Sequence, residues 1–142
     1  MFNPTRNQAR QIFFDTWYKY GRHEPLSGME MIALAVILQH PEYHPMLEDY
    51  DQFIDKDYPP EFGETNPFLH MSMHMAIKEQ LSIDQPIGIQ ERYRNLVVKL
   101  GDEHAAVHNV MDCLGEMLWY AQRDQTTPNA QIYLDCLDKV IR

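Results

Sequence analysis

Apolar residues recur three and four positions apart through most of the chain, the spacing of helices that turn one face inward. Ile12, Phe13, Trp17 and Tyr20 form such a stripe between Asn3-Pro4, which reads as an N-cap and first-turn proline, and Gly21, which closes the helix. Ser27-Gly28-Met29-Glu30 has the form of a capping box and opens the apolar run that continues to about Gln39. Pro41, Pro45, Pro59 and Pro60 then interrupt the pattern, leaving room for a short helix near residues 45–54 followed by loop. Asn66-Pro67 begins a long helix to about Ser82, and a proline-containing turn from Asp84 to Gly88 leads to another at Ile89–Leu100. Gly101 ends that one and Asp102 caps the next, Glu103 to about Arg123, while Thr127-Pro128 opens the last, ending near Ile141.

No segment alternates with the period of two that a strand requires. The pattern therefore predicts an all-α chain: one domain over residues 1–142, an antiparallel helical bundle of about five to six helices. Its irregular part is an acidic, proline-containing connection at 41–66. The chain's 142 residues are enough to bury a core, and 44% apolar residues argue against disorder.

Charge sharpens that picture at one place. The formal net charge is −9, and eight acids against Lys56 put −7 of it between Pro41 and Asn66. Five aromatics (Tyr43, Tyr50, Phe53, Tyr58 and Phe62) are interleaved there. The segment reads as a solvated acidic surface, or else as a docking face for a basic protein partner across residues 42–64. A chain this acidic lacks the basic footprint that nucleic-acid binding needs. The longest apolar run, Met31 to Leu38, is eight residues, far short of the roughly 20 that span a bilayer. With no apolar signal segment at Met1–Arg10, the expectation is a cytoplasmic protein with no membrane contact. Cys113 and Cys136, without a CxxC spacing, are expected as buried thiols of a reducing compartment. The long helix from Glu103 is a candidate surface for a homo-oligomer.

Histidines carry the one chemical suggestion. Six of the seven fall in H-x-x-x-H pairs: His40/His44, His70/His74 and His104/His108. Four residues is about one helical turn, so both rings of a pair lie on one face with Cβ atoms roughly 5–6 Å apart. His70 shares its face with Ile77 and His74 with Leu81, while His104 and His108 align with Met111. Both pairs are thus expected on core-facing stripes, where an unmet imidazole costs roughly 1–3 kcal/mol. A divalent transition metal, zinc or iron, would satisfy them together. Asp112 and Glu116 continue the His104/His108 row in steps of four, drifting about 40° per step, and extend the candidate ligand set to His70, His74, His104, His108, Asp112 and Glu116. The competing reading is a buried hydrogen-bond network of the same histidines with Asp112, Tyr93 or Tyr120.

His40 and His44 are each followed by proline, which disfavours helical backbone at the histidine and breaks the one-turn argument. A loop could still bring one of them in. Glu30 is explained by its capping box without any ligand role. Nucleotide-binding glycine loops, H-E-x-x-H and G-x-S-x-G are all absent from the sequence, so nothing indicates a nucleotide cofactor or names a reaction.

Five stretches occur in order: Met1-Phe-Asn-Pro4, His40-Pro-Glu-Tyr-His44, Asn66-Pro-Phe-Leu-His70-Met-Ser-Met-His74, Glu79-Gln-Leu-Ser-Ile-Asp-Gln-Pro86, and the run from His104 to Glu116. Together they resemble the bacterial domain-of-unknown-function family eighteen-forty-one over essentially the whole chain. The resemblance implies a small proteobacterial protein and brings no mechanism with it. The spacing of His70, His74, His104 and His108 is also similar to helical metal-binding bundles of the hemerythrin and DinB-like kinds. Those bundles mix H-x-x-x-E with H-x-x-x-H, and His74 stands where a glutamate would be expected. That departure leans away from di-iron oxygen chemistry and towards a mononuclear, histidine-rich site.

Overall fold

A computed structural model describes residues 5–59 and 66–142, and every regular element in them is helical. The helices are α1 (Arg6–Gly21), α2 (Gly28–Leu38), α3 (His44–Leu47), α4 (Tyr50–Phe53), α5 (Pro67–Ile83), α6 (Ile89–Leu100), α7 (Glu103–Asp124) and α8 (Ala130–Ile141), with one 3-10 turn at Pro41–Tyr43. Among the described residues there is no strand. None of the helices is long and apolar enough to cross a membrane.

Local capping chemistry explains most boundaries. Ser27 accepts from the Glu30 N–H while the Glu30 carboxylate accepts from the Ser27 N–H, closing the expected capping box. The side chain of Asn66 accepts from the N–H groups of Phe68 and Leu69 and so starts α5. Asp102 does the same for His104 and Ala105 at α7, directly after Gly101 has ended α6 in the left-handed region at φ 71°. At the N-terminus, Asn3-Pro4 lies outside the described residues, and α1 is capped by a Thr5–Gln8 capping box. The short helix expected near 45–54 is instead two single turns, α3 and α4, parted where Asp49 leaves helical geometry at φ −125° and ψ 71°.

The chain forms two compact units, Met1–Met75 and Ala76–Arg142. In the first, α1 and α2 pack together around Phe13, Phe14, Val36 and Ile37, with Met46, Leu47, Ile54, Phe68 and Met71 completing the core. The four described aromatics of the acidic segment belong to this packing. Tyr43, Phe53 and Tyr58 lie against the core, and Tyr50 meets Phe14 edge-on at 5.1 Å. Arg10, only 3% exposed, anchors the chain after α4 by donating to the carbonyls of Phe53, Ile54 and Lys56 at 3.3, 3.0 and 2.8 Å. Its guanidinium lies 4.6 Å from the Phe68 ring centroid. Burial lowers its pKa, with nearby Arg6 adding to the effect. Arg6 pairs with Asp55 and Asp57, and Asn7 donates to Asp55. Part of the acidic segment's charge is therefore used against α1. Phe62, Glu61 and Glu64 lie outside the described residues.

In the second unit α6, α7 and α8 pack on one another. Ile89, Leu96, Val110, Leu114, Tyr133 and Leu137 are buried. Tyr133 donates to the Gln80 side chain at 2.8 Å, and Arg92 pairs with Asp138 at 2.9 Å. The cysteines overturn the expectation of reduced thiols: Cys113 of α7 and Cys136 of α8 are joined in a disulfide, with Cα atoms 5.6 Å apart. The packing of α7 on α8 brings together two residues 23 positions apart, a proximity that no local spacing encodes. The argument for a reducing compartment that rested on free thiols goes with it.

Candidate functional site

The carboxyl end of α2 and the first half of α5 together present three histidines. Pro41 stops the chain continuing as a helix, and His40, at φ −128° and ψ 67°, turns out of α2. His70 and His74 project from consecutive turns of α5, as their four-residue spacing dictates. The His40 ring centroid lies 5.0 Å from that of His70 and 4.8 Å from that of His74, and the His70 and His74 centroids are 4.8 Å apart. One ring nitrogen from each falls within 4.8 Å of the others. His40 and His74 are each 3% exposed, and His70 is half-buried.

Hydrogen bonds settle which nitrogen His40 can offer. Its Nδ1 lies 2.9 Å from the Val36 carbonyl, which can only accept, so the proton sits on Nδ1. In the neutral ring Nε2 then carries the lone pair. A backbone carbonyl holding the distal N–H is how ligating histidines are commonly oriented. His70 and His74 meet Nε2 to Nε2 at 3.2 Å. Two nitrogens bound to one tetrahedral zinc at about 2.0–2.1 Å would be separated by roughly 3.3 Å. The pair therefore stands at the separation a shared cation requires, and without one it forms a hydrogen bond between the two rings. Tyr43 stacks on His40 at 5.3 Å, with an interplanar angle of 4°, and lies 6.3 Å from His70. Burial, with the Glu42 charge second, raises the pKa of its phenol, keeping it neutral near pH 7.

The other histidines and acids of the sequence argument fall elsewhere. His44 donates from Nε2 to the Ile37 carbonyl at 2.9 Å and stacks on Trp17 at 4.3 Å, a packing role. Glu30 is held in the N-cap of α2 and by Lys19 at 2.9 Å. The Ser27 N–H first, and Lys19 next, keep its pKa below the ordinary carboxylate range. On α7, His104 and His108 face each other with centroids 4.1 Å apart. His108 is half-buried beside the buried Ala106, Val110 and Met111, whereas His104, Asp112 and Glu116 are exposed. The inward stripe of α7 thus includes the second histidine of the pair and leaves the first, with both acids, towards solvent.

His40 is the residue that sequence reasoning set aside. The proline after it argues correctly against helical backbone at His40, but His44 is helical at φ −61° and ψ −44° and opens α3 despite Pro45; the two rings serve different partners. The proline does not say where the turned chain then aims His40. The available signal was its position one turn beyond Val36 at the end of an apolar run.

A family described as Domain of unknown function (DUF1841) matches residues 5–139. No curated protein and no solved structure matched the chain.

Proposed function

Since the chain belongs to the DUF1841 family, whose description assigns no activity, we propose from its side chains alone that it binds a divalent transition metal, zinc or iron, through His40, His70 and His74. The observation that carries this reading is the convergence of three imidazoles, one oriented by the Val36 carbonyl and two with Nε2 atoms 3.2 Å apart. Imidazole nitrogens suit borderline divalent ions, and an all-histidine set without thiolate or carboxylate disfavours calcium and magnesium. His108 enters the proposal as a further donor on the sequence argument alone, with His104 orienting it through their ring contact. The exposure of Asp112 and Glu116 leaves them out of the ligand set we propose. In the metal-bound state the Val36 carbonyl holds the His40 proton away from the cation, and Tyr43 walls one side of the cluster.

Elemental analysis of protein purified without chelators tests this directly, beside His40→Ala and the His70→Ala/His74→Ala double variant. Near-stoichiometric zinc or iron in the wild type, lost from both variants, is the expected result. Metal at 100 times its dissociation constant should stabilise the wild type by about 2.7 kcal/mol. A wild-type protein that holds no metal, and whose thermal unfolding no divalent ion shifts, would overturn the proposal.

A further inference from the structure

The outer face of α2 carries an apolar stripe. From Gly28 to Gln39 the only charged residue is Glu30, and its carboxylate accepts from Lys19 and from the Ser27 N–H. Glu30, Ala33, Val36 and Ile37 turn inward. Gly28, Met31, Ile32, Ala35 and Leu38 are all exposed, Met31 at 62%, Ile32 at 40% and Leu38 at 46%. A helix that is apolar all round is ordinarily covered all round. Gly28, Met31, Ala35 and Leu38 step by three, four and three, the spacing of a seam between paired helices. Gly28 is not left-handed, and a Cβ on it would meet nothing within 4 Å. Close approach of another helix is a physical reason for a glycine at such a place.

We propose that this seam is the contact of an antiparallel homodimer, α2 of one copy lying against α2 of a second. The seam complements itself in that direction. About a twofold axis level with Ala33, Leu38 of one copy faces Gly28 of the other and Met31 faces Ala35, so each large side chain meets a small one. A parallel pair would instead set Met31 on Met31 and leave Ala35 opposite Ala35. Charge points to the same face. Two chains of net charge −9 repel, and they meet at least cost across a surface that bears no charge. The longer α7 exposes Asp112, Glu116, Arg123 and Asp124 beside Leu118 and Trp119. An 11-residue helix offers a strip only about 16 Å long, well short of the roughly 800 Å² a side of a stable complex, so the dimer is a transient one.

Sedimentation equilibrium of the full chain, from about 10 μM to about 1 mM, reads the association. Expected is a reversible dimer that tightens as salt rises from about 0.05 to about 0.5 M, because screening relieves the repulsion between the two acidic chains. Ala35→Glu and Gly28→Leu, both at exposed positions, should each weaken it at least about tenfold with unchanged circular dichroism. Ala35→Met should also weaken it, by setting Met31 against a second bulky side chain. Adding Met31→Ala should restore it, since the exchange again places large against small. A wild type that stays monomeric up to about 1 mM, a dimer that loosens with salt, or one that survives both Ala35→Glu and Gly28→Leu would overturn the proposal. A dimer that Ala35→Met leaves intact, or that Met31→Ala fails to restore, would overturn the antiparallel register.

Discussion

A single carbonyl fixes the chemistry available at His40. With Nδ1 bound to Val36, the ring can present only Nε2, whereas His44 uses its Nε2 on Ile37 and packs on Trp17. The two neighbours should consequently respond differently to truncation. His40→Ala is expected to weaken zinc binding by at least about 100-fold, the upper end of losses seen for orienting partners alone. His44→Ala should leave zinc binding near wild type and cost about 1 kcal/mol of stability through its lost hydrogen bond. Isothermal titration with zinc and urea unfolding of both variants would decide between these roles. A stronger zinc defect in His44→Ala would reverse the assignment. The contrast also marks how far single residues were legible. The His70/His74 pair could be read from spacing because both rings ride one helix, but His40 depends on where a proline-terminated turn aims a side chain.

Three helix starts were legible because each is local chemistry: Ser27, Asn66 and Asp102 cap as their sequence positions suggest, whereas the last helix is capped by Asn129 and not opened at Thr127-Pro128. What local chemistry could not supply is the division of the connection into α3 and α4, or the disulfide between α7 and α8, both settled by packing. Asn66 is the cap of the helix that carries two of the proposed donors. Asn66→Ala should cost about 1 kcal/mol in urea unfolding and still bind metal, since His70 and His74 keep their spacing. Loss of metal in a folded Asn66→Ala protein would make α5 more dependent on its cap than this. At α2 the pH dependence has a definite sign. The folded pKa of Glu30 is lowered, so its contribution is present above the ordinary carboxylate value of about 4.3 and is lost as pH falls through the lower folded value. Lys19 is shifted upward, so its contribution is lost only as pH rises through its raised value. Urea midpoints measured from pH 7 into acid should therefore fall less steeply in Glu30→Gln than in the wild type. An unchanged acid slope would mean that the capping box contributes nothing to acid sensitivity.

Across the whole molecule, the all-helical class followed from periodicity, while the two compact units and the covalent link in the second did not. The Cys113–Cys136 link closes a loop of 23 residues. Its removal should destabilise the protein by about 3 kcal/mol on the chain-entropy account. Thermal unfolding with and without a dithiol reductant, beside Cys113→Ser/Cys136→Ser, measures this. Equal melting temperatures in all three samples would show that the link carries no stability. Metal content should be the same in oxidised and reduced protein, because the three proposed donors of the first unit include no sulfur.

The order of these groups along the chain has a consequence for biosynthesis. His40, His70 and His74 all precede Ala76, whereas the thiols of Cys113 and Cys136 come only later. A chain emerging amino end first exposes these nitrogen donors before the thiols of Cys113 and Cys136 have been made. An ion captured by the nascent first unit would be held before Cys113 and Cys136 can compete for it, and disulfide formation afterwards removes the two thiols that could draw it away.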